Sequence, residues 1–257
     1  MEITLNSIAP DASLTKWYRE QMQSMMDDMR ADLIADVVKP MRSEIAMDGI
    51  IDWLGHVIDS LVNRWQKNLD NLSEQIAKDM VGRSKTNYDK RLHNMLRKRG
   101  FTVNFRNSKD VEEQALIAIG ENTALIKSIG NEYLDKVRSA VWRSVKGGYD
   151  VESLIKQLRQ IDGVTDRRAK NIAKDQVAKA NQAFEDARAA ELGITEAIWL
   201  HSSASKVPRP DHVKANGTRY ELAKGCYISG EYIHPAISKI NCHCRKKLII
   251  EIPDSMV

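Results

Sequence analysis

Between residues 54 and 80 the side chains Leu54, Ile58, Leu61, Trp65, Leu69, Leu72, Ile76 and Met80 recur at intervals of three or four. That spacing puts them on one face of an α-helix about seven turns long. A stripe so narrow on a helix so long packs against other helices, which commits the chain to a largely helical architecture. Gly82 follows the stripe and predicts its end, because glycine takes the left-handed conformation of a helix C-cap without steric cost. An earlier helix is expected between Leu14 and Lys39, with Tyr18, Met22, Met25, Met29 and Leu33 at helical spacing and Pro40 as its stop. The cluster Met22, Met25, Met26 and Met29 has two readings: filler in a core, or an adaptable surface for a partner or a second copy of the chain.

Further helices follow. Ile126, Ile129, Tyr133, Val137 and Val141 form one face, broken at Gly147-Gly148. A short helix over 151–158 and a turn at Asp162-Gly163 come next. Thr165 or Asp166 then starts a helix whose buried face is Ala173, Val177, Ala180, Phe184 and Ala187, ended by Glu191-Leu192-Gly193. From residue 194 the texture changes. Ala197-Ile198-Trp199-Leu200 and Lys247-Leu248-Ile249-Ile250 read as short strands, the second just before Pro253. Between them Pro208, Pro210, Gly217, Gly225, Gly230 and Pro235 punctuate the chain. The expected fold class is mainly α: long N-terminal helices and a helical middle, then a small α+β C-terminal module. The expected divisions fall at 1–110, 111–193 and 194–257.

The chain contains no apolar run of about eighteen residues, the length a membrane span needs. Met1-Glu2-Ile3-Thr4 lacks the basic-then-apolar layout of a signal peptide, so a cytosolic setting with reduced cysteines is expected. The net charge of +4 says little, but its distribution says more. Arg83, Lys85, Lys90, Arg91, Arg97, Lys98, Arg99, Arg106 and Lys109 face a single acid, Asp89. Such a block suits a phosphate backbone or an acidic protein surface, and equally a solvated helix face.

All three cysteines (Cys226, Cys242, Cys244) and four of the six histidines lie between residues 201 and 245. Zinc takes four sulfur and nitrogen ligands in a tetrahedral array. Cys226, Cys242, Cys244, His234 and His212 are therefore candidate ligands of a structural zinc. The one-residue spacer of Cys242-x-Cys244 has a second reading. In that reading only one of the two thiols reaches a metal, the rest packing as small hydrophobes. Asp211-His212, Asn216 and His234 loosely match the histidine-asparagine-histidine set of metal-dependent nucleases, in which a histidine activates water. The spacing is poor. No Gly-rich phosphate loop, Gly-x-Ser-x-Gly elbow or His-Glu-x-x-His occurs, and no catalytic set is assigned.

Two stretches resemble the phage minor head proteins of the Mu F-like (SPP1 gp7-like) head morphogenesis family. The first is Glu121-Asn-Thr-Ala-Leu-Ile-Lys-Ser-Ile-Gly-Asn-Glu-Tyr-Leu-Asp-Lys-Val137. The second begins at Ala169-Lys-Asn-Ile-Ala-Lys-Asp-Gln-Val-Ala-Lys-Ala-Asn181 and continues through Glu191–Trp199, Pro208-Arg-Pro-Asp-His212 and Asn216-Gly217. It closes on His234-Pro235 and Asn241-Cys-His-Cys-Arg245. The order of these pieces is more specific than any one of them, and together they cover about Val111 to Leu248. Where many relatives carry Asp-x-Arg-Val-Arg before the histidine, this chain has Ser205-Lys-Val-Pro-Arg209. His243 stands where the middle residue of Cys-x-Cys is commonly Arg, and Cys226 is not a fixed family feature.

The resemblance implies a structural rather than enzymatic role. It implies a low-copy, portal-associated virion component acting in head morphogenesis and in DNA packaging or ejection. Its implied place is the head interior near the portal, reached from the host cytoplasm during assembly. The implied partners are the portal protein, other head proteins and packaged double-stranded DNA, with room for a homo-oligomer. A metal-dependent nuclease and a DNA-binding module centred on residues 83–109 are the alternatives.

Overall fold

The computed structural model describes residues 1–43, 49–203 and 207–252. The elements run β1 (Glu2–Thr4), α1 (Ala12–Leu33), a π-helical turn (Ile34–Val38), α2 (Lys39–Ser43), α3 (Ile50–Arg97), α4 (Lys109–Lys146) and α5 (Val151–Glu191). There follow β2 (Glu196–Leu200), α6 (Pro210–Lys214), β3 (Arg219–Glu221), β4 (Cys226–Ile228), β5 (Glu231–Ile233) and β6 (Arg245–Glu251). The protein is mainly α with a small sheet module at its C-terminal end, as expected. No helix among the described residues is long and apolar enough to cross a membrane.

The helices run further than the sequence punctuation suggests. Gly82 lies inside α3, which continues to Arg97. The stop is Gly100, left-handed at φ 86°, with the Phe101 N–H on the Leu96 carbonyl and the Gly100 N–H on that of Arg97. This is a Schellman ending, and Gly193 closes α5 in the same way. Pro40 does not end the first helical region. The Lys39 N–H bonds to Ile34, five residues back, and this π-helical widening lets the chain carry a proline into α2. Asp162-Gly163 is not a turn, since α5 is continuous from Val151. Ile161, Thr165 and Ala169 form an unbroken buried stripe, and the Thr165 hydroxyl donates to the Ile161 carbonyl at 2.9 Å. Its capping capacity is spent inside the helix.

The described chain forms two compact units, each discontinuous in sequence, whose boundaries fall within the long helices. One comprises Lys16–Lys78 and Gly120–Ile172. Its core is helix on helix, with Met22, Met25, Met29, Leu54, Ile58, Leu69, Ile126, Tyr133 and Val141 buried. Three methionines of the early cluster are therefore core filler. The Tyr18 hydroxyl donates to Asn122 at 2.8 Å, both residues buried, and the Trp65 indole donates to Asp32 at 2.9 Å. Asp162 accepts from Arg30 at 2.9 Å and from the Tyr133 hydroxyl at 3.2 Å.

The other unit comprises Met1–Thr15, Asp79–Ile119 and Ala173–Val257. Its four-stranded antiparallel sheet has the order β1-β6-β2-β3, and β4 and β5 make a separate hairpin. The N-terminal strand, which carries no strong sequence signal, pairs with the last one: Ile3 faces Ile250. Asp11 caps α1, accepting the Ser13 and Leu14 N–H groups at 2.8 and 3.0 Å. The Ser13 hydroxyl and these amides hold its carboxyl below the ordinary range. The α5 stripe Ala173, Val177, Ala180, Phe184 and Ala187 is buried, as its spacing predicts.

Candidate functional site

The residues that carry the C-terminal motifs converge in the sheet module. Alternation along β2 buries Ala197 and Trp199. The Trp199 indole N–H donates to the His212 carbonyl at 3.1 Å, and the His212 ring stands edge-on to the indole with centroids 5.3 Å apart. This fixes α6, whose first residue, Pro210, is preset for a helix start. His212 is 2% exposed. Its Nδ1 lies 3.5 Å from Cys242 Sγ and 3.7 Å from Cys244 Sγ, and both cysteines are buried.

Cys242 and Cys244 face the same side. Residues two apart share a face on a strand, so both thiols can reach one ion, against the expectation that only one would; β6 itself begins only at Arg245, and Asn241 is left-handed (φ 56°) in the turn before it. The turn is fastened from several directions. The Asn241 N–H donates to Asp175 of α5 at 2.7 Å, the Cys242 N–H to the Lys239 carbonyl at 3.2 Å, and Arg209 to the Ile240 carbonyl at 3.1 Å. The Cys244 S–H and the backbone N–H groups of Cys244 and Ala236 bond to the Cys242 sulfur. That bonding pulls Cys242 down to about 5, with the imidazole nearby assisting. Cys244 is pushed up by giving its proton to that bond and by burial, while the Ser202 backbone N–H bonds to its sulfur.

The five cysteine and histidine candidates therefore separate. Among the described residues, two sets of three or more His, Cys, Asp or Glu side chains bring their ligand atoms within 4.8 Å of one another. One is His212, Cys242 and Cys244. The other, Glu2, Glu196 and Glu251, is largely exposed, and its members pair with Arg219. Cys226 and His234 belong to neither. Cys226 opens β4 opposite Ile233, and burial raises its thiol. His234 follows β5 and lines a groove of about 600 Å³ with Asp186, Ile194, Glu221 and Leu222.

His201 is the residue that sequence reasoning passed over. Its Nδ1 lies 3.8 Å from Cys244 Sγ, and its backbone N–H donates to the Asn216 side chain at 2.9 Å. A signal existed: His201 is two residues beyond Trp199, on the same side of the strand by alternation. Ser205 and Lys206 lie outside the described residues.

Under the sheet, the fully buried Lys246 ammonium meets Asp186 at 2.6 Å and Glu185 at 3.8 Å, both on α5. Burial pushes the Glu185 carboxyl up to about 7 against the pull of Lys246.

The basic segment occupies the end of α3 and the loop after it. Arg83, Lys90, Arg91, Arg97, Lys98, Arg99, Arg106 and Lys109 are exposed, and Lys85 is half-buried. Arg83, Lys90 and Arg97 are seven residues apart, so they recur on one face about every 10.5 Å, flanked by Arg91 and Lys98. The single acid is withdrawn from that face. Asp89 accepts a two-pronged bond from the buried Arg188 at 2.8 and 2.7 Å. Arg188 also donates to the Arg106 carbonyl at 2.6 Å and lies 4.7 Å from the Phe105 ring centre, which orders the loop. Lys85 bonds Asn107, and Arg91 bonds the Ala9 carbonyl.

Long helices ending in a small antiparallel module, with a buried Cys-x-Cys and histidine closure, define the structural class. Residues 135–247 match the family described as Phage Mu protein F like protein, which bears out the Mu F-like resemblance read from the sequence. A protein of Haemophilus influenzae described as uncharacterized is 28% identical over 247 residues, a span that covers 94% of this chain and 54% of that protein. The chain thus spans about half the length of that curated relative. No solved structure matches the chain.

Proposed function

We propose that the protein is a phage minor head protein, associated with the portal and acting in head morphogenesis and in DNA packaging or ejection. Its place is the head interior near the portal, reached from the host cytoplasm during assembly. The observation that carries the reading is the family match over 135–247, which spans the whole convergent motif set. Co-expression with the cognate portal protein tests it. The expected outcome is co-purification, together with presence in finished particles; failure of both overturns the reading.

The basic face at the C-terminal end of α3, where the one acid within residues 83–109 is bound to Arg188, supports contact with packaged double-stranded DNA. On this reading, glutamine at Arg97, Lys98 and Arg99 lowers DNA affinity and reduces the slope of log affinity against log salt by about 3. An unchanged slope removes DNA from the partners and leaves an acidic protein surface. A metal-dependent nuclease has less support. His212 is buried with Nδ1 against two sulfurs, and His234 stands outside that cluster, so the two do not converge on one water.

A further inference from the structure

We propose that His212, Cys242 and Cys244, with His201 as the fourth ligand, bind one structural zinc ion that closes the C-terminal module. The spacing is that of ligands around a single ion. Bonds of about 2.3 Å to sulfur and about 2.0 Å to nitrogen at the tetrahedral angle put a sulfur–nitrogen pair about 3.5 Å apart. The His212 Nδ1 contacts are 3.5 and 3.7 Å, and His201 Nδ1 is 3.8 Å from Cys244 Sγ. His201 stands outside the group whose ligand atoms all lie within 4.8 Å, so its ring swings inward when the ion binds. It is half-buried, and its backbone is held by Asn216.

Three further observations support an ion over apolar packing of the thiols. First, small hydrophobes do not call for an imidazole nitrogen directed at both sulfurs, yet the His212 ring, edge-on to the Trp199 indole, is set this way. Second, the two sulfurs and the imidazole nitrogen all lie within 4.8 Å of one another and all three residues are buried, whereas the other such group among the described residues is largely exposed and paired with Arg219. Third, the charge closes. The cysteines bind as thiolates, any proton they still carry going to solvent, and one dication with two thiolates and two neutral imidazoles sums to zero, as a buried site requires. The ligands come from the end of β2, from α6 and from the turn before β6. The ion would therefore tie together three segments distant in sequence, the usual use of a metal in a small module.

The full-length chain, purified from zinc-supplemented culture and dialysed against a weak chelator, should retain about one zinc per molecule. Cys226→Ser and His234→Ala should keep it, and Cys242→Ser and His212→Ala should lose it. Cobalt added to the stripped wild-type protein should give thiolate-to-metal absorption and the intense visible bands of a tetrahedral site. In His201→Ala those bands should weaken as water takes the fourth position. Less than about half an equivalent of zinc in the wild type overturns the site, as does zinc kept by Cys242→Ser. An unchanged cobalt spectrum in His201→Ala overturns the assignment of the fourth ligand. Should the variants fail to fold, the wild type decides alone: a chelator must lower its melting temperature and zinc restore it, and no shift overturns the proposal.

Discussion

The helical unit formed by Lys16–Lys78 and Gly120–Ile172 and the sheet module after residue 194 are stabilised in different ways. The helical unit repeats one device. Apolar stripes on α1, α3 and α4 bury side chain after side chain, and each contributes a similar share. The sheet module has short strands and depends on particular polar fastenings: the Trp199 indole on the His212 carbonyl, Asp175 on the Asn241 amide, Lys246 between Glu185 and Asp186. A redundant core tolerates exchange, and a set of particular fastenings does not.

The sharpest way to break the comparison is at Trp199, which is fully buried and touches both the His212 and Tyr220 rings. Trp199→Ala should cost about 3–5 kcal/mol, read as a shift in the urea midpoint, with early proteolysis confined to the module. A loss below about 1 kcal/mol would mean that the module does not depend on its motif residues.

A smaller effect is expected from the buried ion cluster. With its carboxyl raised from the ordinary 4.5 to about 7, Glu185 keeps a proton in the folded state that the unfolded chain has already released. Stability should therefore fall as pH rises from about 4.5 to about 7, by at most about 1.4 kcal/mol per pH unit, and level off above. Lys246, Asp186, Arg245 and Gln182 face this carboxyl, and the tyrosines beside it titrate far above the window. Glu185→Gln should remove this slope from the difference between the two melting profiles, and identical profiles would assign it elsewhere.

The smallest effect belongs to the helical unit. Met25→Leu exchanges one flexible apolar side chain for another of similar volume at a buried stripe position, and should cost under about 1.5 kcal/mol. A loss as large as that of Trp199→Ala would erase the distinction between the regions.

How much was legible in the sequence follows the same division. The stripes were, because burial on one face of a helix imposes a period that local inspection detects: Leu54 to Met80, Ile126 to Val141 and Ala173 to Ala187. The ends of helices were legible only in part. Gly193 stops α5, but Gly82 lies within α3, because a glycine terminates a helix only where a left-handed turn is also needed. Thr165 shows a similar limit, its hydroxyl bonded back to Ile161 inside the helix.

For the candidate site, the sequence by itself determined which residue types are available: two thiols one residue apart, nearby histidines, and an ordered series of motifs sufficient to suggest the Mu F-like family. The tertiary structure decided which of them meet. It brings His212 to Cys242 and Cys244, sends Cys226 and His234 elsewhere, and adds His201. The physical reason is that ligand geometry depends on side-chain direction. A left-handed Asn241 and the hydrogen bonds of Asp175, Arg209 and Trp199 set that direction through contacts 13 to 66 residues apart in the chain. No local period records them.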